Sequence, residues 1–195
     1  MPSLLLASSS PRRREMLALF PFVTEIALPR ADEALVPGED PATGAERIAL
    51  LKARSVVALR GAVQPVLAAD TVVVVDGAAL GKPRDAADAR RMLRLLAGRT
   101  HQVVTGVAVL WKGTERVFSV SSDVVFKPLT DTEITDYIAS GEPMDKAGAY
   151  AVQGLGGFMV SAVRGSVSNV VGLPLAEVVV VLQEIGFLDG VMPRQ

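Results

Sequence analysis

One run of the chain dictates most of what it can become. Residues 66–76 read Val66-Leu67-Ala68-Ala69-Asp70-Thr71-Val72-Val73-Val74-Val75-Asp76, nearly all apolar and rich in β-branched side chains. Such residues favour extended backbone, and a strand that is apolar at every position, not every second one, leaves no face for water. It has to be covered on both sides. The Asp76-Gly77 pair that follows is a hairpin-turn signal.

Around that strand, helices and strands alternate. The pattern predicts helices over 12–20, 42–59, 85–97, 130–140 and 174–185, and strands over 4–7, 22–27, 102–111, 116–127 and 158–163. Asp85 is a candidate cap for the third helix, and Gly98 and Gly186 are stop signals. Ile48, Leu51 and Leu59 mark one stripe of the second helix, and Leu175, Val178, Val179 and Leu182 the inward face of the last. Val103, Thr105, Val107, Val109 and Trp111 alternate onto one face, as do Phe118, Val120, Val124 and Phe126 after the Lys112-Gly113-Thr114 turn. Residues 28–40 form a loop that carries Asp32-Glu33. Mixed helices with a twisted, partly antiparallel sheet make the fold class α/β, or α+β. At 195 residues the chain fits one domain, or two intimate lobes, with a substantial core.

Composition narrows function. The net charge is −1, so there is no overall basic footprint for duplex nucleic acid, and the cations are concentrated locally, as suits a small anionic ligand. With no cysteine, thiol nucleophiles, thiolate zinc and disulfides are excluded. His101 is the one histidine, a poor basis for a histidine metal site or a serine–histidine–aspartate triad, and it reads as structural. The longer apolar runs, such as Val72–Val75 and Val178–Leu182, are far below membrane-spanning length, and residues 4–6 are too short for a signal-peptide core. The expectation is a soluble cytoplasmic protein.

The first helix begins Ser10-Pro11-Arg12-Arg13-Arg14, with Ser10 as the candidate N-cap and Pro11 at a position that suits it. Three arginines in a first turn oppose the helix dipole, whose positive end lies there. A bound anion would resolve the conflict, since free N–H groups with Ser and Arg side chains make a phosphate site. Arginines splayed into water would resolve it as well. Asp70 interrupts the apolar strand, where it either sits at an exposed bend or, if buried, needs a lysine or a metal as partner. Lys52, at the edge of an apolar stripe, reads by itself as a solvated lysine. Lys82 sits in Leu80-Gly81-Lys82-Pro83, held extended by Pro83. Glu33 with Asp70 would suffice for Mg²⁺ or Mn²⁺, which needs only one or two carboxylates beside phosphates and water. Gln153, next to Gly154, both donates and accepts, which matches the edge of a pyrimidine base and equally a loop backbone.

Together these segments resemble the Maf family of nucleoside triphosphate pyrophosphatases over nearly the whole chain, read as one Maf-like domain over 1–195. The matching stretches are Ala7-Ser8-Ser9-Ser10-Pro11-Arg12-Arg13, Asp32-Glu33, Leu51-Lys52-Ala53, Ala69-Asp70-Thr71, Leu80-Gly81-Lys82-Pro83 and Gly98-Arg99-Thr100-His101. Ser140-Gly141-Glu142-Pro143 through Gln153-Gly154, and Asn169-Val170-Val171-Gly172-Leu173-Pro174, extend the match. Ser9 departs from the glycine many members carry there. The resemblance implies a two-lobed mixed sheet flanked by helices, similar to the inosine triphosphate pyrophosphatases, with a central cleft, a divalent cation and often a homodimer. It further implies that Ser8, Arg12, Arg13, Lys52 and Lys82 meet the phosphates, that Glu33 and Asp70 hold the metal, and that Asp70 is the proton acceptor.

Asp70-Thr71 and Ala151-Val152-Gln153-Gly154 look like the branch acting on dTTP and UTP, in which Arg12, Thr71 and Gln153 would set specificity. The implied reaction yields a nucleoside monophosphate and pyrophosphate, with nucleotide-pool sanitation as the role. Alternatives are the branch acting on methylated guanosine triphosphates, a phosphohydrolase releasing inorganic phosphate, and a nucleotide-binding regulator of cell division and septum formation.

Overall fold

The computed structural model describes residues 2–36, 38–61 and 63–189. Strand β1 (Ser3–Ala7) leads into the short helix α1 (Pro11–Leu17), and β2 (Val23–Ala27) returns parallel to β1, with Leu5 opposite Glu25. Beyond the 28–40 loop come α2 (Pro41–Arg60), β3 (Val66–Val75), β4 (Ala78–Leu80) and α3 (Ala86–Leu96). The long strands β5 (Thr100–Trp111) and β6 (Thr114–Phe126) follow, then α4 (Asp131–Ala139). Three 3-10 segments (Glu142–Asp145, Ala147–Ala149 and Leu155–Met159) lead to β7 (Val160–Arg164), α5 (Val167–Val171) and α6 (Leu175–Glu184). The strands hydrogen-bond in the order β2-β1-β3-β5-β6-β7, with β4 on β3. β1 is parallel to β2 and β3, whereas β3–β4 and β6–β7 are antiparallel, so the sheet is mixed as the sequence predicts. No helix of the described residues is long and apolar enough to cross a membrane.

Two units divide the chain. The first comprises Met1–Asp70, Thr105–Val120 and Gly172–Gln195, and the second Thr71–Val104 and Ser121–Val171. The first unit's core joins Leu5, Ala7, Val66 and Ala68 of the sheet to Ala49, Ala53 and Val56 of α2. Leu51 and Leu59 do not face it, being 38% and 54% exposed. The buried face of α2 consists of Gly44, Ala45, Ile48, Ala49, Lys52, Ala53 and Val56. The reason lies in β5: a Cβ on Gly106 would stand 2.3 Å from the Ala45 carbonyl carbon, so the helix lies against the strand backbone and only small side chains fit there. Asp40 caps this helix, accepting from the Thr43 N–H at 3.0 Å.

The second unit packs Val73, Leu93, Leu96, Phe126, Tyr137 and Met159 into one cluster. Asp76 and Gly77 adopt φ of 51° and 75°, the hairpin turn that their sequence signals. Asp85 caps α3, accepting from the Asp88 N–H at 2.8 Å, and α4 carries a reciprocal capping box between Thr130 and Glu133. His101 is buried in this unit. Its Nε2 is 2.8 Å from the Tyr150 hydroxyl, its ring stands edge-on to Phe126, and burial pulls its pKa down to about 4.

Several element boundaries move. α1 ends at Leu17, three residues short of the predicted helix, and Ser10 occupies the N-cap position without a capping bond from its hydroxyl. β5 is buried on both faces from Val103 to Leu110, so its alternation does not mark a wet side. Phe158 and Met159 belong to a 3-10 segment that precedes β7, and residues 167–171, where the sequence pattern predicts no element, form α5. In α6, Val178 and Leu182 are buried while Leu175 and Val179 are only partly so.

Candidate active site

In the first unit a single ammonium gathers two carboxylates. Lys52 follows Ile48 by one turn on the buried face of α2, so its aliphatic stem runs through the core and only the tip needs a polar partner. Its Nζ lies 2.7 Å from Asp70 Oδ1 and 2.8 Å from Glu33 Oε2. Lys52 is 5% exposed, which corrects the reading of it as solvated. The Asp70 side chain is 14% exposed and that of Glu33 50%. Asp70 thus has the cation that its place in a buried strand demands.

The loop that delivers Glu33 is stapled to α2 at both ends. The Arg30 N–H donates to Ser55 Oγ at 3.1 Å, and Ser55 donates to the Lys52 carbonyl at 2.8 Å. Arg47 donates to the Ala34 carbonyl at 3.1 Å and forks onto Glu39 with two bonds of 2.8 Å. That fork holds Glu39 below the usual carboxylate range. Arg47 and Glu39 were not singled out by sequence. The available signal is an arginine one helix turn before Leu51-Lys52, facing an acidic, proline-flanked loop.

Ser8 and Arg13 form the second half of this cluster. The Ser8 hydroxyl accepts from the Ser10 N–H at 3.1 Å and from Arg13 at 3.2 Å, and Arg13 Nε donates to the Gly172 carbonyl at 2.8 Å. Burial lowers the Arg13 pKa, and Asp70 is the leading influence in the opposite direction, ahead of Glu33, which acts the same way. Arg13 is therefore buried, braced and within the field of the two acids. Arg12 is half-buried and adds like charge beside it. Its guanidinium makes no hydrogen bond or ion pair among the described residues, in contrast to Arg13.

Thr71, Lys82 and Gln153 belong to the second unit. Thr71 is half-buried in β3, and Lys82 is exposed just after β4. The Lys82 segment is tied down by the Gly148 N–H, which donates to the Gly81 carbonyl at 3.0 Å. Gly148 has φ 67°, and a Cβ there would lie 2.8 Å from the Val73 side chain. Gln153 is exposed and precedes Gly154, whose φ of 107° and ψ of −155° are open essentially to glycine alone. Glu142 sits against that glycine. Its carboxylate accepts from the Tyr137 hydroxyl at 2.8 Å and from the Leu155 and Gly156 N–H groups at 2.9 Å. Burial pushes the Glu142 pKa up, but these three bonds, with a smaller pull from the Lys146 charge, outweigh it and leave the acid below its ordinary value. In the sequence Glu142 appears only within a stretch that matches the family, and two of its three partners are backbone groups more than a dozen residues away.

The donor chemistry at Glu33 and Asp70 fits a hard divalent cation. Two carboxylates are brought to one point, and groups of three or more His, Cys, Asp or Glu suited to a metal are absent among the described residues. A cation completed by phosphate oxygens and water needs no more protein ligands than these two.

Comparison with known proteins adds three findings. The family model described as Maf-like protein matches residues 3–185. A dTTP/UTP pyrophosphatase of Anaeromyxobacter dehalogenans (strain 2CP-C) is 52% identical over 190 residues, covering 95% of each chain. One from Symbiobacterium thermophilum is 49% identical over 190 residues, covering 96% of each. Among solved structures, a nucleoside-triphosphatase, dITP/XTP pyrophosphatase, from Mycobacterium abscessus overlaps 96% of this chain and 100% of its own at 17% identity, with a TM-score of 0.46.

Proposed function

The chain belongs to the Maf family, and on that premise we propose that it is a nucleoside triphosphate pyrophosphatase that hydrolyses dTTP and UTP to the monophosphate and pyrophosphate. The observation that carries the reading is the Lys52–Asp70–Glu33 cluster beside Ser8 and Arg13. A triphosphate brings several negative charges, and this unit supplies both the cations to meet them and the acids to hold a metal and take a proton.

In the proposed reaction Asp70 orients a water and accepts its proton as the water oxygen attacks the α-phosphorus. The bond from that phosphorus to the oxygen bridging to the β-phosphorus breaks, and pyrophosphate leaves with the bonding pair. Ser8, Arg12 and Arg13 bind phosphate oxygens, Lys52 keeps Asp70 and Glu33 in place, and Lys82 adds positive charge at the phosphates. Glu33 and Asp70 would hold Mg²⁺ or Mn²⁺, whose chemistry is to neutralise charge on the phosphate oxygens. Positioning and charge stabilisation carry most of such a reaction, so no covalent nucleophile is required. Arg12, Thr71 and Gln153 select the base, with the Gln153 amide matching the acceptor and donor of a uracil or thymine edge. Removal of unwanted pyrimidine nucleotides from the cytoplasmic pool, by a homodimer, is the role that this activity would serve.

The test is a product assay. The pure protein is incubated with Mg²⁺ or Mn²⁺ and a panel of ribo- and deoxynucleoside triphosphates, and phosphorus NMR resolves the products. Monophosphate with pyrophosphate, chiefly from dTTP and UTP, is expected. The same products chiefly from a methylated guanosine triphosphate would keep the reaction and overturn the assignment of Thr71 and Gln153. Inorganic phosphate in place of pyrophosphate would overturn the reaction.

A further inference from the structure

We infer that Glu142 is a positioning residue for base selection, setting the backbone that carries Gln153; this rests on the reading of Gln153 as a base-contacting side chain. The Gln153 side chain makes no hydrogen bond among the described residues, so the direction it takes is given by its backbone. That backbone is fixed on both sides of it by one network. Before it, the Ala151 N–H donates to the Tyr137 hydroxyl at 3.2 Å, and Tyr137 donates to Glu142 Oε1 at 2.8 Å. After it, the Leu155 N–H reaches Oε2 and the Gly156 N–H reaches Oε1, both at 2.9 Å.

Between these anchors the chain turns at Gly154, and a Cβ there would lie 2.6 Å from Glu142 Oε2. The carboxylate is thus packed against the residue that follows Gln153. Three donors converge on it, and an ionised carboxylate is the acceptor-only side chain that takes them all. An amide of the same shape turns one acceptor into a donor and sets it against a donor. The net lowering of the Glu142 pKa agrees with a carboxylate held ionised by its partners. A clamp of this kind touches no substrate, so its loss should be read in which base is chosen and how tightly, more than in the chemical step.

The experiment measures kcat and KM for dTTP and for dATP in the parent protein and in Glu142→Gln, Tyr137→Phe and Gln153→Ala. Glu142→Gln is expected to lower the preference for dTTP over dATP roughly tenfold, mainly through the KM for dTTP. Tyr137→Phe keeps the ring in the core and should move the preference the same way by about threefold, and the double variant should fall short of the product of the two. Should Glu142→Gln fail to fold, Tyr137→Phe decides. If the preference is lost in Gln153→Ala but intact in both Glu142→Gln and Tyr137→Phe, the positioning role is overturned and the reading of Gln153 stands. An unchanged preference in Gln153→Ala overturns that reading and the positioning role with it. Equal losses of kcat for both nucleotides in Glu142→Gln would make the residue a support of the fold alone, and overturn the proposal.

Discussion

Each unit of this protein places an acid at the centre of a polar cluster, but the partners differ in kind. In the first unit Asp70 and Glu33 meet an ammonium, at 2.7 and 2.8 Å from Lys52 Nζ. In the second, Glu142 meets neutral donors, two backbone N–H groups and a phenol. An ion pair is weakly directional, so charged groups can re-partner when a triphosphate and a cation arrive. A fan of hydrogen bonds from backbone is directional and holds a shape. The contrast accords with the proposed function, in which Asp70 and Glu33 serve the chemistry and the segment beside Glu142 serves selection.

The strongest way to break this comparison is to remove the shared cation. Lys52→Met leaves Asp70 in a buried strand without its partner, which should cost about 3 kcal/mol of stability and nearly all turnover. Added Mg²⁺ should return part of that stability to the variant while changing the parent less, because the metal replaces the lost charge between the two acids. Urea unfolding with and without Mg²⁺ measures both. A variant as stable as its parent would mean that the first cluster is not held together by charge.

The two clusters also differ in how far the sequence reveals them. The buried strand β3 was legible, because its valines leave no wet face, and so was the anomaly of Asp70 inside it. That Lys52 answers it was not, since the hydropathy of α2 points to Leu51 and Leu59. The face is chosen instead by the close approach of Ala45 to Gly106, a tertiary constraint that lets small residues outrank leucines. The Glu142 clamp was hidden for another reason. Its partners at Leu155 and Gly156 are backbone N–H groups, which every residue but proline carries, so no residue type announces them. Thr71 stood out only through the family resemblance, and the Gln153 amide by itself matched a base edge and a loop backbone equally.

Asp70→Asn sharpens the chemical half of the comparison. It should lower kcat for dTTP by ~10²-fold or more, the usual loss with a general base, while the variant still folds, because Glu33 keeps the Lys52 ammonium paired. The dTTP-over-dATP preference should be unchanged, since the second cluster is intact. Near-parental turnover would remove Asp70 from its role as proton acceptor.

The second unit's dependence on neutral contacts can be read by pH. His101 has its pKa lowered from 6.5 to about 4 by burial, so the unfolded chain takes up its proton first as pH falls. The stability it contributes is present above pH ~6.5 and is lost toward pH ~4, about 2 kcal/mol of it between pH ~7 and pH ~5. Urea unfolding at those two pH values should show this loss, and His101→Leu should flatten it whatever its own cost at neutral pH. An equal slope in parent and variant would mean that His101 accepts a proton without leaving its place.

The smallest effect separates two serines at the mouth of α1. Ser10 holds the N-cap position, yet its hydroxyl makes no capping bond, whereas the Ser8 hydroxyl takes the Ser10 N–H and an Arg13 N–H together. The capping work therefore lies two residues upstream of the position that sequence favours. Ser10→Ala should cost less than the ~1 kcal/mol usual for an N-cap serine, and Ser8→Ala about that much or more, because it leaves the buried Arg13 short of an acceptor. Paired urea titrations rank the two. The reverse order would return the cap to Ser10 and leave Ser8 free to serve the phosphates alone, loosening the tie between the first strand and the charged cluster that Arg13 provides.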